Sequence, residues 1–501
     1  MNLMMLLEMA SSAFGDRVAL TNGDDQWTYA ELFAAAGCAA AEVSAAGTEQ
    51  LALIDVSSPA LPVGLFASAW AGVPFVPLNY RLTEDEIESL VGRISPAYLV
   101  TDSERVATLA KLPATTVVSR SAFLDNAASE TTPAPAWPMD PDGIALLLFT
   151  SGTTGAPKAA VLRHKHLVSY ILGSVEFGAA DEDDSTLVSV PPYHVAGVAA
   201  VLSSVYAGRR IVQLPNFSAE AWIDLARRER VTHAFVVPTM LARIVEFLEK
   251  SDSVDLPCLR ALAYGGGKMP LPIIERALKL LPATSFTNAY GLTETSSTIS
   301  VLGPEEHRAA LASDDETVKR RLASVGRPLP GVEVEIHDET GRPLDPGGRG
   351  EIHVRGDQVS GEYLGRGVTL GPDGWFSTRD GGSMDANGYL FVEGRIDDVI
   401  VRGGENISPG EIEDVLLEHE AVADCAVIGI PDEHWGEAVA ASVVLRKNRP
   451  ASPEELRTWV KSRLRSSRTP ERIEFSVELP YSETGKLLRR EVRAQFRGDS
   501  S

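Results

Sequence analysis

Six apolar residues, Ile144-Ala145-Leu146-Leu147-Leu148-Phe149, run without a break into Thr150-Ser151-Gly152-Thr153-Thr154-Gly155-Ala156-Pro157-Lys158. The apolar run reads as a buried strand. The loop after it carries hydroxyl donors, two glycines that let the backbone approach a guest, and a lysine that adds charge. Such a segment suits a polyphosphate. The same composition also suits a solvated turn, because Gly/Ser/Thr loops are common. A Walker phosphate loop requires G-x-x-x-x-G-K-[ST]. Here Ala159 follows Lys158 and the glycines are Gly152 and Gly155, so that reading fails.

Apolar strand-like runs alternate with amphipathic helical runs through the first 300 or so residues. Residues 50–56, 97–100 and 232–237 read as strands; 219–230 and 241–250 read as helices. This alternation predicts α/β layers with largely parallel sheets. From 325 to 401 the pattern turns to short strands broken by Gly/Pro/Asp turns, a β-rich section. A smaller α+β unit follows, with strands over 423–429 and 439–445 and helices over 409–418 and 453–465. Pro409 and Pro453 stand where a first helical turn tolerates proline. The Ala/Thr/Pro-rich stretch 127–141 reads as a surface connection. At 501 residues the chain has length for roughly three domains or subdomains.

Charge narrows the partners. There are 46 Lys+Arg against 69 Asp+Glu, a net of −23. Such a surface disfavours nonspecific binding to nucleic acid or anionic lipid. Residues 446–497 run the other way, with 14 basic and 7 acidic residues. That segment either docks against the acidic remainder or binds an anionic partner. Cys38, Cys258 and Cys425 are far apart and form no C-x-x-C pair, which predicts small buried filler and fits a reducing cytoplasm. Glu8 interrupts the apolar N-terminal run, and Pro62, Pro74 and Pro77 break the longest uncharged stretch, 59–81. Neither a signal peptide nor a membrane helix is expected, but a helix followed by a strand. The last residues carry no peroxisomal or lipidation signal.

Four further segments carry chemistry. Asn288-Ala289-Tyr290-Gly291-Leu292-Thr293-Glu294 puts an aromatic for stacking, a hydroxyl and a Mg²⁺-competent carboxylate within five positions. Trp375-Phe376-Ser377-Thr378-Arg379-Asp380 ends in a carboxylate suited to two ribose hydroxyls. Gly394-Arg395-Ile396-Asp397-Asp398 offers another sugar or phosphate contact. Thr484-Gly485-Lys486 sets a lysine after a glycine turn. Each alone is ordinary structure more often than a site.

Together and in this order they resemble the adenylate-forming superfamily of acyl-CoA synthetases, peptide-synthetase adenylation domains and luciferases. The likeness spans nearly the whole chain, from Trp27-Thr28-Tyr29 through Val76-Pro77-Leu78-Asn79-Tyr80 to Lys486, and is nearest to fatty-acyl- and aryl-CoA ligases. It implies a large N-terminal domain, 1–396, of α/β and β-rich subdomains, and a small mobile α+β domain, 397–501, hinged at Asp397. It implies that Thr150, Ser151, Gly152, Thr153, Thr154, Gly155 and Lys158 hold the ATP β- and γ-phosphates, with Thr153 near the metal. Tyr290 lies beside adenine, with Gly267, Asn288, Ala289 and Gly291 around the nucleotide. Thr293 contacts the α-phosphate and Glu294 holds Mg²⁺. Asp380 and Arg395 meet ribose or phosphate. Lys486 reaches the substrate carboxylate and α-phosphate for adenylation. Gly403 and Gly404 line the pantetheine channel for thioester formation, and His194 borders that channel and the acyl pocket.

The implied reaction joins a carboxylic acid, expected to be a fatty acid with an aryl acid as the alternative, to coenzyme A through acyl-AMP, with AMP and pyrophosphate released. A carrier-protein thiol is the alternative acceptor, and a nucleotide-binding protein without activity is the rival outside enzymes. A cytoplasmic location is expected, and a homodimer is compatible with the sequence. One departure stands out. Where relatives often carry Gly-Gly-Ala-Pro, this chain has Gly265-Gly266-Gly267-Lys268. Lys268 is expected to face solvent; the other reading places it in the acyl pocket.

Overall fold

The computed structural model describes residues 1–129, 136–150, 157–251, 256–371, 373–432, 434–482 and 487–497. Among them the strands form four sheets. In the first, Val18–Asn22, Arg210–Gln213, Ser185–Val188, His233–Val236, Ala261–Gly265 and Ser285–Leu292 pair in parallel. Antiparallel strands close it, Asp25–Thr28 at one edge and Ser297–Leu302 with Arg327–Pro328 at the other. In the second, Thr115–Ser119, Ala97–Thr101, Gln50–Ile54, Phe75–Pro77 and Ile144–Thr150 run parallel. Lys158–Arg163 then turns back antiparallel on Ile144–Thr150. The parallel α/β layers read from the alternation are therefore present.

Helices fill the space between these sheets. Tyr29–Ala45, Ala60–Ala71 and Val195–Ala207 all contribute to one core with Phe66, Phe75 and Leu146. Ala60–Ala71 is buried along nearly its whole length, and a Cβ on its Gly64 would sit 3.0 Å from the Phe75 ring. Each fully buried large apolar side chain contributes about 1.5–3 kcal/mol. Trp137, in the stretch read as a surface connection, packs edge-on against Trp70 at 5.0 Å and pins that stretch to the core.

The β-rich section builds an antiparallel sheet from Glu333–His337, Arg349–Arg355, Phe376–Met384 and Leu390–Arg395. One piece departs from local order. Glu362–Tyr363 crosses to the second large sheet and pairs with Lys158–Arg163. The last sheet belongs to the C-terminal unit: Ile400–Arg402, Glu405–Ile407, Val422–Asp432, Gly436–Leu445 and Arg472–Phe475. Helices Pro409–Leu417, Pro453–Lys461 and Arg489–Arg497 accompany it. The Pro453 helix stops four residues short of the expectation, and a short 3-10 turn, Ser466–Arg468, follows.

No helix among the described residues is long and apolar enough to cross a membrane. Part of the basic C-terminal segment meets carboxylates outside itself. Arg468 pairs with Glu411 at 2.8 Å and with Glu405, Arg493 with Asp398, Arg489 with Glu413, and Arg449 with Glu420. Of the two readings of that segment, docking on acidic neighbours accounts for these residues.

Candidate active site

The site residues collect where parallel strands end. Ligands favour the carboxyl ends of such strands, where loops leave the sheet free to contact a guest. Ala261–Gly265 runs out into Gly266 and Gly267, and Ser285–Leu292 runs out into Thr293 and Glu294. The two strands lie close enough that a Cβ on Gly265 would stand 2.1 Å from the Ala289 carbonyl oxygen. A Cβ on Gly291 would stand 1.7 Å from the Ser297 oxygen. Asn288 is buried and its amide donates to the Ser324 carbonyl at 3.1 Å, so it anchors the strand.

Two linked clusters sit on this strand end. In the first, the Tyr290 hydroxyl donates to Asp380 Oδ2 at 2.7 Å, and Arg395 Nε faces Asp380 Oδ1 at 3.1 Å. Arg395 also donates to the Thr378 carbonyl at 2.7 Å. Burial, and then the Asp380 charge, hold the Tyr290 hydroxyl protonated well beyond its ordinary range. The carboxylate is thus oriented from both sides.

The second cluster lies four residues on. Tyr363 Oη donates to Glu294 Oε1 at 2.6 Å, and the Lys158 ammonium stands 5.8 Å from the Tyr363 ring centre. Burial and the Glu294 charge push the Tyr363 hydroxyl up. The Ser360 N–H donates to the Glu294 backbone carbonyl at 2.8 Å. Strand Glu362–Tyr363 therefore joins Lys158 to Glu294. Tyr363 and Ser360 escaped the sequence reading. Their signal was weak: an aromatic in a Gly-rich stretch looks like packing, and the pairing with residues about two hundred positions away is not local.

Glu294 fits a magnesium ion. Mg²⁺ is usually held by one or two carboxylates together with substrate phosphates. Tyr363 donates to Oε1 and so restrains the carboxyl group. Among the described residues no group of three or more His, Cys, Asp or Glu could hold a metal ion.

His194 caps helix Val195–Ala207: its Nδ1 accepts the Ala196 N–H at 3.2 Å. Desolvation lowers its pKa to about 4, so the ring is neutral near pH 7 and carries its proton on Nε2. Thr150 closes the Ile144–Thr150/Lys158–Arg163 hairpin opposite Lys158. Ser151, Gly152, Thr153, Thr154, Gly155 and Lys486 lie outside the described residues.

At the start of the C-terminal unit, Asp397 lies in a 3-10 turn and pairs with Arg379 at 2.9 Å. Gly403 and Gly404 form the two-residue turn between Ile400–Arg402 and Glu405–Ile407, both with positive φ. A Cβ on Gly403 would meet the Trp435 indole at 2.7 Å. Lys268 answers in part to the expectation. Its side chain is 42% exposed, but its ammonium reaches helix Pro409–Leu417 instead of standing free or entering the acyl pocket.

Comparison with known proteins follows the same layout. Residues 7–364 match the AMP-binding enzyme family and 411–486 match the AMP-binding enzyme C-terminal domain. The chain is 33% identical over 485 residues to a feruloyl-CoA synthase of an Amycolatopsis species, covering 95% of this chain and 96% of that one. It is 35% identical over 454 residues to the fatty acid–[acyl-carrier-protein] ligase ScoC of Streptomyces coeruleorubidus, covering 87% and 85%. Among solved structures, the o-succinylbenzoate CoA synthetase MenE of Bacillus subtilis, in complex with its acyl-adenylate OSB-AMP, superposes with a TM-score of 0.84 at 30% identity over 97% of each chain. The same synthetase is also known with ATP and a magnesium ion.

Proposed function

Because the chain belongs to the AMP-binding enzyme family, as an ATP-dependent acid–thiol ligase that works through an acyl-adenylate with ATP, Mg²⁺ and coenzyme A, we propose that its acid is a fatty acid and that the residues above divide its two half-reactions. The observation that carries the division of labour is the pair of preset carboxylates, Asp380 and Glu294, tied by tyrosines to one strand end.

In the first half-reaction a carboxylate attacks the α-phosphorus of ATP. Two anions must meet, so the protein's work is positioning and charge neutralisation. Asp380, held by Arg395 and Tyr290, receives the ribose hydroxyls. Tyr290 covers the adenine edge beside Gly267, Asn288, Ala289 and Gly291. Thr293 donates to the α-phosphate. Lys158, with Thr150 and the loop from Ser151 to Gly155, takes the β- and γ-phosphates. Glu294, with Thr153 nearby, would hold Mg²⁺, which would supply positive charge beside the phosphates. Lys486 brings its ammonium to the attacking carboxylate.

In the second half-reaction the thiol attacks the mixed anhydride and AMP leaves. The small C-terminal domain, 397–501, turns about Asp397 so that Gly403 and Gly404 line the entry for pantetheine. Neutral His194 borders that entry as a hydrogen-bond donor through Nε2. Small apolar residues at 195–199 and 263–266 favour an apolar acid. The likeness to ScoC supports a fatty acid, and the likeness to feruloyl-CoA synthase favours an aryl acid as the second reading.

The test is pyrophosphate exchange over a panel of fatty and aryl acids, followed by addition of free CoA or a holo carrier protein. Exchange with fatty acids and acyl transfer to free CoA are expected. Exchange confined to aryl acids, or transfer to the carrier thiol alone, overturns the substrate or the acceptor.

A further inference from the structure

The departure at Lys268 acquires a partner in the structure. Lys268 Nζ crosses from the N-terminal part to helix Pro409–Leu417, where it donates to the Gly410 carbonyl at 3.1 Å and to Asp414 Oδ2 at 2.8 Å. One turn away, the Ser408 hydroxyl donates to the Glu393 carbonyl at 3.0 Å. Ser408 occupies the N-cap of that helix yet makes no capping bond with its side chain. Its hydroxyl is turned toward the seam instead.

Gly410 completes the fit. An added Cβ would lie 2.8 Å from the Glu393 carbonyl and 3.0 Å from Lys268 Nζ, so the two parts close to backbone contact there. The helix is bolted to its own unit on the far side. Ile412 and Leu416 are buried, and Glu413 Oε1 accepts the Val427 N–H at 2.8 Å and pairs with Arg489. A pull on this helix therefore moves the C-terminal unit as a body.

We propose that Lys268 is a positioning residue that pins the C-terminal unit in one of its two working orientations, with Ser408 exchanging its seam bond for a helix cap when the pin opens. The inference rests on the two-orientation reading given above. The bonds suit a reversible latch. Both charges are about half exposed, 42% and 52%, so the pair is screened and biases the orientation by about five-fold at most. On release, Ser408 regains the capping bond that it forgoes here, which offsets part of the loss. A bias on one orientation acts on the two half-reactions in opposite senses, because each uses a different orientation.

Two variants test this from opposite sides. Lys268→Met removes the pin and keeps the stem. Gly410→Ala wedges the seam, while its φ is not in the left-handed region and alanine favours the helix. On the full chain, adenylation is read by pyrophosphate exchange, and thioester formation from supplied acyl-adenylate and CoA, with octanoyl and feruloyl groups as parallel probes. Each variant is expected to change the ratio of the two rates by about two- to five-fold in the same direction, one rate falling while the other holds or rises. Asp414→Asn should add nothing to Lys268→Met. Added salt should move the wild type toward the variant and leave the variant unmoved. Equal loss of both rates, no change in the ratio, or opposite directions for the two variants overturns the pin. A wild-type chain that makes acyl-adenylate but passes it to no thiol overturns the two-orientation reading itself, and the pin with it.

Discussion

The strand-end clusters and the seam to the C-terminal unit use the same chemistry at opposite ends of exposure. Asp380 and Arg395 are 12% and 33% exposed, and both carboxylate oxygens are engaged. Lys268 and Asp414, and Arg379 and Asp397, are all more than two-fifths exposed. In the clusters, low dielectric strengthens each bond and makes an unmade one costly. At the seam, water competes for each partner and the bonds exchange easily. The strand-end geometry is largely buried; the seam bonds are about half exposed and screened by water.

The largest effect should come from the buried side of that contrast. Asp380→Ala removes the carboxylate proposed to hold the ribose and takes from Arg395 and the Tyr290 hydroxyl the acceptor they share. Adenylation is expected to fall about 100-fold. Pyrophosphate exchange with ATP varied reads this, and a fall under about three-fold would show that the cluster is structural and does not hold the sugar.

A half-buried carboxylate inside the C-terminal unit tests the cost of desolvation. Desolvation raises the Asp424 carboxyl from 3.8 to about 6, against the bonds donated by the Tyr481 hydroxyl. The folded chain therefore holds that proton more tightly than the unfolded chain. Its stabilising contribution is complete below about pH 4 and is lost as pH rises through about 6. Melting of the C-terminal unit should show a descent on the order of 2–3 kcal/mol between those limits, and Asp424→Asn should flatten it. A wild-type profile flat over that range would contradict the burial.

Next in size is Tyr363→Phe, which removes one hydrogen bond to Glu294 and keeps the ring beneath Lys158. The half-saturating Mg²⁺ concentration should rise by about three- to ten-fold. Mn²⁺ binding in the presence of ATP, followed by electron paramagnetic resonance, reads this without turnover. An unchanged metal affinity would assign Tyr363 to packing.

What the sequence disclosed divides along the same line. The parallel layers, the β-rich section and the C-terminal α+β unit were legible because burial on alternating elements imposes periods on the residues themselves. Tyr290, Glu294, Asp380 and Arg395 were legible because they sit in short ordered segments, and the structure brings Tyr290, Asp380 and Arg395 into direct contact. Tyr363 was not legible, because its strand of two residues pairs with Lys158–Arg163 far back along the chain. The contact of Lys268 was not legible either. Its partner lies 142 residues on and depends on how two separately folded parts meet. The turn of Ser408 away from its own helix is likewise a tertiary choice over a local capping preference.

The smallest effect concerns the basic C-terminal segment, and it bears on whether exposed charge there serves binding or docking. Five of its arginines, 449, 463, 468, 489 and 493, pair with carboxylates at Glu420, Glu418, Glu411, Glu413 and Asp398. Charge neutralised within the chain exerts little field at a distance, and salt screens the remainder over about 8–10 Å. The KM for CoA should therefore change by less than about two-fold between roughly 50 and 300 mM salt, no more steeply than the KM for the acid. A KM for CoA that climbs several-fold while that for the acid stays level would return these arginines to the CoA phosphates.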